Sequence, residues 1–445
     1  MSFIANTTSE DGIVITPRAY KIAKATITAN NGKEYNLLPT IHNIEIHEGM
    51  GRTGLHVRLF IEDAANLADE IKMAYNEKIN IRIEREEHSG EKGFDLELFI
   101  WGINNYTEPT PSSKSYALEC ITKHCYLSPK KLLNRAYDDT TAKLIKKILN
   151  NDLETEVDVR CSTYKVVKGV YPNISPLYAI AWLLRNSNDN GTPCYLFETP
   201  AEGVIFTSYN EILKQDVFHK YNRNPYFTNT LHHKTEKGIF EEERSRIIKV
   251  ISNNLAGKYE SAEKGLYGSI MNKVDIATKT RTTNRYEYKD TDKKLNDKDS
   301  TNKFMKIGKN LIQDFKNYKQ HYVSENSLAY GKDKNTYHDA TGDKELLKRN
   351  AYLNALHATE LVIKLPGDFE FSSGKIIELE ILRQADISEE LSDGKDFIDE
   401  VLSGKYLVDK VIHHFTKDGY FMTTTIKKDS FVTEQIRNEP GDNTE

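Results

Sequence analysis

The chain has 445 residues, enough for about three domains with cores of their own, and 61 Lys and Arg against 66 Asp and Glu give it a formal net charge of -5. This balance argues against a dedicated DNA-binding protein, which would carry a basic surface. Hydrophobic residues make up 38% and charged residues 29%, which is polar for this length but well outside the disordered class.

The first segment, residues 20–122, is predicted to be a β-rich domain with one helix. Apolar and polar residues alternate, as in strands that bury one face, in Leu55–Ile61, Ile79–Ile83 and Phe94–Ile100. Asp63 can cap a helix whose apolar residues recur at three- and four-residue spacing as far as Tyr75. A last strand, Tyr116–Ile121, ends the domain, and residues 1–19 form an N-terminal arm before it.

The second segment, residues 123–245, is predicted to be an α+β domain. Asp138 and Asp139 are expected to open a helix, because apolar residues follow them at helical spacing. Ser175 is a favoured N-cap and Pro176 fits a first helical turn, which predicts another helix. Turn residues between two short apolar runs then predict a hairpin over Tyr195–Phe197, Thr199–Gly203 and Val204–Phe206.

The third segment, residues 246–292 and 343–433, is predicted to be β-rich again, with a helix from Asp343 to about His357. Its predicted strands are Ile247–Ile251, Ile270–Ile276, Leu361–Leu365, Ile377–Ile381, Tyr406–Phe415 and Tyr420–Lys427. Asp418-Gly419 is a strong hairpin signal between the last two. Residues 293–342 are rich in Lys, Asp and Asn and are predicted to form a solvated polar insertion, and residues 434–445 a flexible tail.

The first and third segments repeat one order of elements: strands, one helix, then strands that end in a hairpin-like pair. The helix at Asp63 matches that at Asp343, and the strand at Ile79 matches that at Ile377. The pattern predicts a mainly β fold with α+β parts: two similar β-barrel domains with one helix each, a central α+β domain and the polar insertion. A closed trimer of such chains presents six similar units, which fits a trimer to a sixfold ring.

One motif has the form of a nucleotide-binding loop. Gly49 to Gly54 reads G-M-G-R-T-G and satisfies the G-x-G-x-x-G pattern, which in nucleotide-binding folds opens a helix. Here a strand follows, so no helix N-terminus is available for a phosphate. These glycines are therefore predicted to serve a hairpin turn.

Other residues of interest do not converge on a catalytic, metal or cofactor site. His232-His233 and His413-His414 invite a metal interpretation, but adjacent residues of a strand point to opposite faces. The cysteines form no C-x-x-C pair and are predicted to be buried thiols in a reducing compartment; they are Cys120, Cys125, Cys161 and Cys194. No apolar run reaches membrane-span length and no signal peptide is evident, so the chain is expected to be made and kept in the cytoplasm.

Two alternatives remain open from the residues alone. The abundant carboxylates could supply the acid pair of a glycosidase, although nothing places two of them in one cleft. The stretches Tyr286–Lys289 and Asn317–Lys319 mix aromatic and basic residues, as single-strand binders do. Acidic residues dilute both stretches, which favours an exposed loop or a partner-binding arm.

Several short sequence segments resemble segments of hub proteins from the baseplates of contractile-tailed bacteriophages. Similar to the central domain of such hubs are Pro172–Leu177, Ala181–Leu183, Tyr195–Thr199 and Gly203–Phe206. Similar to their second tube domain are Lys264–Ser269, Val274-Asp275, Leu365–Asp368, Ser373-Gly374, Ser403–Val408 and Val411–His413. These strings cover most of the chain from about residue 172 to 430, and their order and spacing carry the resemblance.

The resemblance implies a structural virion protein of the tail baseplate, assembled in the host cytoplasm. It implies two tube-type β-barrel domains per chain and a pseudo-sixfold ring of three chains. This ring would join a trimeric central spike, a separate polypeptide, to the first ring of the hexameric tail tube. It would also contact neighbouring baseplate proteins and let the tape measure and then DNA pass without specific binding.

Hubs of this type are not enzymes and are also similar to the hub half of type VI secretion spike proteins. A tail-associated cell-wall hydrolase and a peripheral carbohydrate- or receptor-binding module are the competing hypotheses. The hydrolase predicts a cleft with paired carboxylates of shifted pKa, and the binding module predicts an exposed aromatic platform.

Two loops occupy corresponding places near the start of the two β-rich segments, and both are predicted to be docking loops. The first comprises Gly49, Gly51, Arg52 and Gly54, and the second comprises Gly265, Tyr267 and Ser269. Replacing Arg52 or Tyr267 by Asp is expected to block assembly without unfolding the chain.

Overall fold

The computed structural model of the chain describes residues 2–3, 6–9, 12–64, 67–71, 76–85, 93–110, 113–163, 166–189, 191–223, 236–254, 263–287, 319–325, 344–356, 359–381, 399 and 402–428. Several predictions lie outside these ranges. They concern the tail 434–445, His232-His233, residues 72–75 of the first predicted helix, Tyr288-Lys289, Asn317-Tyr318 and the polar insertion apart from residues 319–325.

Strands dominate the described residues. Those before residue 123 are β1 Ser2–Phe3, β2 Asn6–Ser9, β3 Gly12–Ile15, β4 Tyr20–Thr28, β5 Glu34–Asn36, β6 Ile41–Gly49, β7 His56–Asp63, β8 Lys78–Glu84, β9 Phe94–Thr110 and β10 Ser113–Thr122. Those of the middle are β11 Ala136–Thr140, β12 Val157–Val159, β13 Val166–Val170, β14 Asn188–Asp189, β15 Thr192–Thr199, β16 Gly203–Ser208 and β17 Lys220–Arg223. The last are β18 Lys249–Asn254, β19 Gly268–Asp275, β20 Thr280–Glu287, β21 Lys319–Glu325, β22 Thr359–Pro366, β23 Ile376–Ile381, β24 Gly404–Thr416 and β25 Gly419–Lys428.

The helices are short. They are α1 Leu67–Ile71, α2 Lys123–Leu127, α3 Thr141–Lys147, α4 Pro176–Asn186, α5 Tyr209–Leu213, α6 Glu236–Arg244 and α7 Lys344–Ala355. A 3-10 turn, Ser128–Lys130, follows α2, and a π-helical turn, Ile148–Asp152, follows α3. Among the described residues, none of these helices is both long and apolar enough to span a bilayer.

Fourteen strands form one large sheet with members from both ends of the chain. Its main path follows the order β1-β4-β8-β9-β10-β7-β6-β24-β25-β22-β18. β6 and β24 join the two ends, since Gly49 pairs with Lys410 and Ile44 with Phe415 in antiparallel register. The same edge of β24 also carries β23 at Leu407, and the ladder between β24 and β25 bulges between Val408 and Lys410.

One face of this sheet is apolar, as the alternation predicts. In β7, the side chains of Val57, Leu59 and Ile61 are buried, and the residues between them are half-buried. Side chains from both ends of the chain meet in one core, which includes Ile46, Leu98, Ile363, Phe415 and Met422. Because buried apolar surface contributes roughly 25 cal/mol per Å², this shared core helps to hold the two ends together.

The middle of the chain adds a smaller sheet, β12-β16-β15-β14, and a second apolar core beneath α3 and α4. The predicted helix after Ser175 is confirmed as α4, and the predicted hairpin is confirmed as β15 and β16. Asp138 and Asp139 do not open a helix, because they lie in β11 and α3 begins at Thr141. β11 pairs with β13, a contact that helical spacing in the sequence cannot reveal.

Part of the predicted polar insertion is a strand. β21 runs parallel to β19, which has β20 on its other side. Val323 of β21 packs against a core of Met271, Tyr286 and Leu347. Residues 319–325 of the predicted insertion are therefore a docked strand, in which Gln320, Tyr322 and Ser324 are exposed to solvent.

The two helices that the sequence pattern pairs have different surroundings. α1 places Ile71 in the core of the large sheet, whereas α7 packs Tyr352 near Tyr209 of α5. The paired strands differ as well, because β8 lies between β4 and β9 while β23 lies between β17 and β24. The architecture is mainly β with a central α+β part, and its division into two similar barrels stays a prediction.

Candidate interface loops and the polar face of the sheet

Gly49 to Gly54 lie at the turn between β6 and β7, so the prediction of a hairpin turn is confirmed. Arg52 N donates a hydrogen bond to Gly49 O at 2.9 Å across the turn. Gly51 and Arg52 are exposed to solvent. Arg52 is therefore a long charged side chain of this loop that a partner could contact.

The beginning of this loop is anchored to the other end of the chain. Met50 N donates to Asp409 O at 2.9 Å, and the Met50 side chain is buried in a cluster with Phe197 and Leu407. A Cβ on Gly49 would lie 3.0 Å from Lys410 Cγ, so glycine permits the close approach of β6 and β24 there.

The end of the loop is fixed to the central part of the chain by Glu198 of β15. Glu198 Oε2 accepts hydrogen bonds from Leu55 N at 2.9 Å and Thr122 Oγ1 at 2.7 Å. His124 Nε2 donates to Thr53 O at 2.7 Å and lies 3.8 Å from Glu198 Oε2. This buried arrangement is named the Glu198 tie, and it connects the large sheet to the smaller one.

We expect the Glu198 tie to weaken as the pH rises, because of His124. Burial opposes its charged form, but hydrogen bonding to Cys125 and the charge of Glu198 outweigh burial and raise the pKa of His124 from 6.5 to about 9. The folded chain then keeps this proton after the unfolded chain has lost it. The stabilisation is complete below pH 6.5 and is lost as the pH approaches 9.

Denaturant unfolding at several pH values between about 6 and 9.5 measures this effect. The free energy of unfolding should fall by about 3 kcal/mol over that range in the native sequence. It should stay nearly constant in His124→Gln, whose amide can still donate to Thr53 O. An equal fall in both proteins would contradict the assignment.

The second predicted docking loop is buried within the chain. Tyr267 is 1% and Ser269 2% exposed, and Gly265 has φ 97°, which favours glycine. Replacing Tyr267 by Asp would bury a charge and destabilise the fold, so the expectation that this exchange spares the fold is wrong for Tyr267. For Arg52, which is exposed, the expectation stays a prediction.

Opposite the apolar core, the large sheet carries a cluster of ionisable side chains, named the polar face. It comprises Glu45, His47, His56, Arg58, Glu119 and His414. They belong to β6, β7, β10 and β24, so the cluster crosses the junction between the two ends of the chain. Alternation in each strand puts them on one side of the sheet.

Two carboxylates, Glu45 and Glu119, make the contacts that hold the polar face together. Glu45 lies 3.4 Å from His47 Nε2 and 3.5 Å from His414 Nδ1. Glu119, whose side chain is 2% exposed, lies 2.9 Å from His56 Nε2 and accepts a hydrogen bond from Arg58 Nε at 2.8 Å. The Arg58 guanidinium also lies 3.5 Å from Glu45, so it bridges both carboxylates.

Protonation of this cluster follows from these contacts. Hydrogen bonds from His414 and then His47 hold the pKa of Glu45 well below its usual range. Burial lowers the pKa of His56, although Glu119 opposes that shift. A glycosidase needs one carboxyl whose pKa is raised, so the direction found for Glu45 is opposite to that of a general acid.

His413 and His414 point to opposite faces, as predicted. His413 is fully buried, with Nδ1 2.9 Å from Tyr420 Oη, whereas His414 is part of the polar face. Within the described ranges, no three His, Cys, Asp or Glu side chains are grouped so that they could hold a metal ion. The cysteines are free thiols; Cys120, Cys161 and Cys194 are buried and Cys125 is half-buried.

Neither the Glu198 tie nor the polar face was predicted as a site. The tie joins residues far apart in the sequence, and no local pattern marks Glu198 or His124. The sequence does contain a trace of the polar face. Glu45 and His47 are two residues apart, as are His56 and Arg58, so each pair can share one side of a strand. Polar residues at strand period are normally solvated, so that spacing alone does not predict a cluster.

The similarity of this chain to known proteins lies in its structure and not in its sequence. The sequence matches no protein-family model and no curated protein. The structure is similar to a tail protein from Neisseria meningitidis MC58, with 10% identity, a TM-score of 0.52 and coverage of 92% of this chain and 97% of that one.

Two weaker similarities accompany it. The 43 kDa tail protein of prophage MuSo2 from Shewanella oneidensis has a TM-score of 0.49 at 10% identity, with coverage of 92% of this chain and 99% of that one. The E. coli c3393 protein, a component of the type VI secretion system, has a TM-score of 0.43 at 11% identity, with coverage of 94% and 77%. The similarity to the Neisseria protein shows that the chain has the fold of that tail protein.

Proposed function

We propose that the chain is a structural protein of a contractile phage tail and serves as the hub of its baseplate. Three chains form a ring, and the two β-rich parts of each chain act as two tube-type barrels, which gives the ring pseudo-sixfold symmetry. The ring joins a trimeric central spike to the first hexameric ring of the tail tube, beside neighbouring baseplate proteins. The tape measure and then DNA pass through it without specific binding.

The observation that carries this proposal is the similarity to the Neisseria tail protein over 92% of the chain. The polar face adds physical support, because its two carboxylates lie within 4 Å of histidine and arginine side chains of the same cluster. A symmetry adapter needs complementary surfaces and not a reactive centre. We therefore propose a non-catalytic role in the virion.

Light scattering coupled to size exclusion tests the proposed ring. We expect a mass near three times 51.0 kDa, alone or after addition of the candidate spike protein. Negative-stain images of that species should show a ring with an open centre. A strict monomer under both conditions, with no spike bound, would contradict the hub function and would direct attention to glycan or cell-wall ligands.

Arg52 tests the docking role of the exposed loop. Because Arg52 is exposed in the single chain, Arg52→Glu should leave the melting temperature unchanged and weaken ring or tail assembly at least tenfold. Lys24→Glu is the matched control, since Lys24 is an exposed residue of β4 that lies outside the loop. If Arg52→Glu assembles as well as Lys24→Glu, the loop is not a docking site.

A further inference from the structure

The large sheet ends on one side in a strand with a free edge. β18 is the last strand of the main path and, among the described strands, pairs with β22 alone. β17 contacts the chain just before β18, since Ile247 N donates to Asn222 O at 2.9 Å. From Lys249 onward, the outer edge of β18 therefore faces no strand of the described part of the chain.

Apolar side chains are exposed along this edge. Ile251 in β18 is 47% exposed, and Ile248, just before the strand, is 36% exposed. An exposed strand edge offers unpaired main-chain groups, and apolar side chains beside it add contact area. The edge is therefore able to accept a further strand.

Two lysines lie directly opposite each other beside the edge. Lys249 of β18 pairs with Lys364 of β22, so their side chains share the face of the sheet that is opposite the apolar core. Neither lysine makes an ion pair with the described residues. Lys24 and Arg82 have the same register in β4 and β8, but there Arg82 Nε lies 3.3 Å from Glu84 Oε2.

A third cation extends the positive surface. Lys364 Nζ lies 4.3 Å from the centroid of the Phe421 ring, and Arg18 Cζ lies 5.4 Å from the same centroid. Arg18 Nε is buried and has no hydrogen-bond partner among the described residues. Arg18, Lys249 and Lys364 are named the β18 cations, and they stand out on a chain with a net charge of -5.

Protection against aggregation explains only part of this arrangement. Natural edge strands often carry a lysine or a bulge, and β18 has both, at Lys249 and Ile251. Protection does not explain Lys364, which lies one strand further inside the sheet. Like charges directly opposite each other are destabilising, so an anion beside them would stabilise this part of the sheet.

We propose that the free edge of β18 binds an extended acidic segment of a partner protein. The segment pairs its main chain with β18 and places carboxylates beside the β18 cations. Adjacent strands are about 4.8 Å apart, so Lys249 is next to the added strand, and Lys364 lies about 10 Å from it, within reach of a glutamate side chain. A nucleic acid could contact the cations, but it has no peptide main chain to pair with the edge. This docking edge does not depend on the proposed ring.

Synthetic peptides test the edge in the native full-length chain. By fluorescence anisotropy, a labelled peptide of about eight residues in which Glu and Thr alternate should bind with a dissociation constant on the order of 0.1 mM. The same peptide with Lys in place of Glu, or with N-methylated amides, should bind about tenfold or more weakly, because it lacks the carboxylates or the main-chain donors. Equal binding of either control peptide, or no binding of the Glu peptide at about 2 mM on that scale, would overturn the proposal.

A charge reversal in β18 tests the cations. Lys249→Glu should weaken binding of the Glu peptide about tenfold or more without lowering the melting temperature, because the new carboxylate lies opposite Lys364. Lys24→Glu is the matched control, since it likewise places a carboxylate opposite a cation, Arg82, but away from this edge. Equal losses of affinity in both variants would show a general charge effect and would count against the edge.

Two further measurements separate the other possible occupants. An oligothymidylate of equal charge that binds as tightly as the Glu peptide would assign the cations to nucleic acid and refute a protein partner. By light scattering, Lys249→Glu should have the same mass as the native chain, whereas a lower mass would assign the edge to a second copy of the chain. A monomeric native chain that binds the Glu peptide would contradict the ring and support the docking edge.

Discussion

Replacing Gly54 by Ala is expected to lower the free energy of unfolding by about 3 kcal/mol, whereas Gly51→Ala in the same loop should change it by less than about 1 kcal/mol. A Cβ on Gly54 would collide with Cys125 Sγ and lie 2.8 Å from both His124 Nε2 and Thr122 Oγ1. These groups belong to the Glu198 tie or adjoin it, and both His124 and Thr122 are buried. They cannot move aside without breaking their hydrogen bonds.

Gly51 is a close control for this substitution. Nothing lies within 4 Å of a Cβ placed on Gly51, and the same methyl group is added only three residues away. Urea unfolding of both variants, with light scattering to confirm the oligomeric state, measures the difference. Similar stabilities would mean that the packing around Gly54 does not constrain the loop.

Replacing Glu48 by Ala is expected to destabilise the chain by about 3 kcal/mol. Glu48 is fully buried at the end of β6, where its Oε1 accepts a hydrogen bond from Ser373 N at 2.7 Å. Alanine would leave this N–H without an acceptor and open a cavity beside His413, whose Nε2 lies 3.8 Å from Glu48 Oε1. Both losses occur where the two ends of the chain meet.

The hydrogen bonds around Glu48 also predict the behaviour of glutamine there. Tyr420 Oη donates its one proton to Asp368 O, so it accepts from His413 Nδ1. His413 Nε2 lies 3.8 Å from Glu48 Oε1, which is too far for a hydrogen bond, so the hydrogen bond from Ser373 N is the one that a substitution of Glu48 must keep. Glutamine keeps the acceptor for Ser373 N and nearly the same side-chain volume, so Glu48→Gln should lose less than about 1 kcal/mol.

Unfolding measurements on the alanine and glutamine variants of Glu48 show whether Glu48 stabilises the fold through packing and hydrogen bonding or through its negative charge. A large loss in alanine with little loss in glutamine supports hydrogen bonding in a closed site. Equal, large losses in both would show that the negative charge itself is needed, contrary to the expectation.

Local patterns predicted several of the strands well. The alternation in Leu55–Ile61 and Ile79–Ile83 reports one buried face, and both are strands in the structure. Ser175-Pro176 marks a helix start because capping is a property of neighbouring residues. Such features depend on the residues beside them and can be read without knowledge of the fold.

Features that depend on distant partners could not be predicted in this way. Asp138 and Asp139 resemble a helix start, but they pair with β13 and so form a strand. Tyr267 lies in a turn motif that resembles an exposed loop, yet it is buried. Exposure likewise depends on packing between distant segments. Of the two predicted docking loops, only the one that contains Arg52 is exposed to solvent.

The pairing of β6 with β24 has a consequence for synthesis. Gly49 leaves the ribosome about 360 residues before its partner Lys410. At roughly 5–20 residues per second, the edge of β6 waits about 20–70 s for the strand that covers it. During that time an unpaired strand edge can recruit other nascent chains, so yield in the host should depend on chaperones and on the rate of translation.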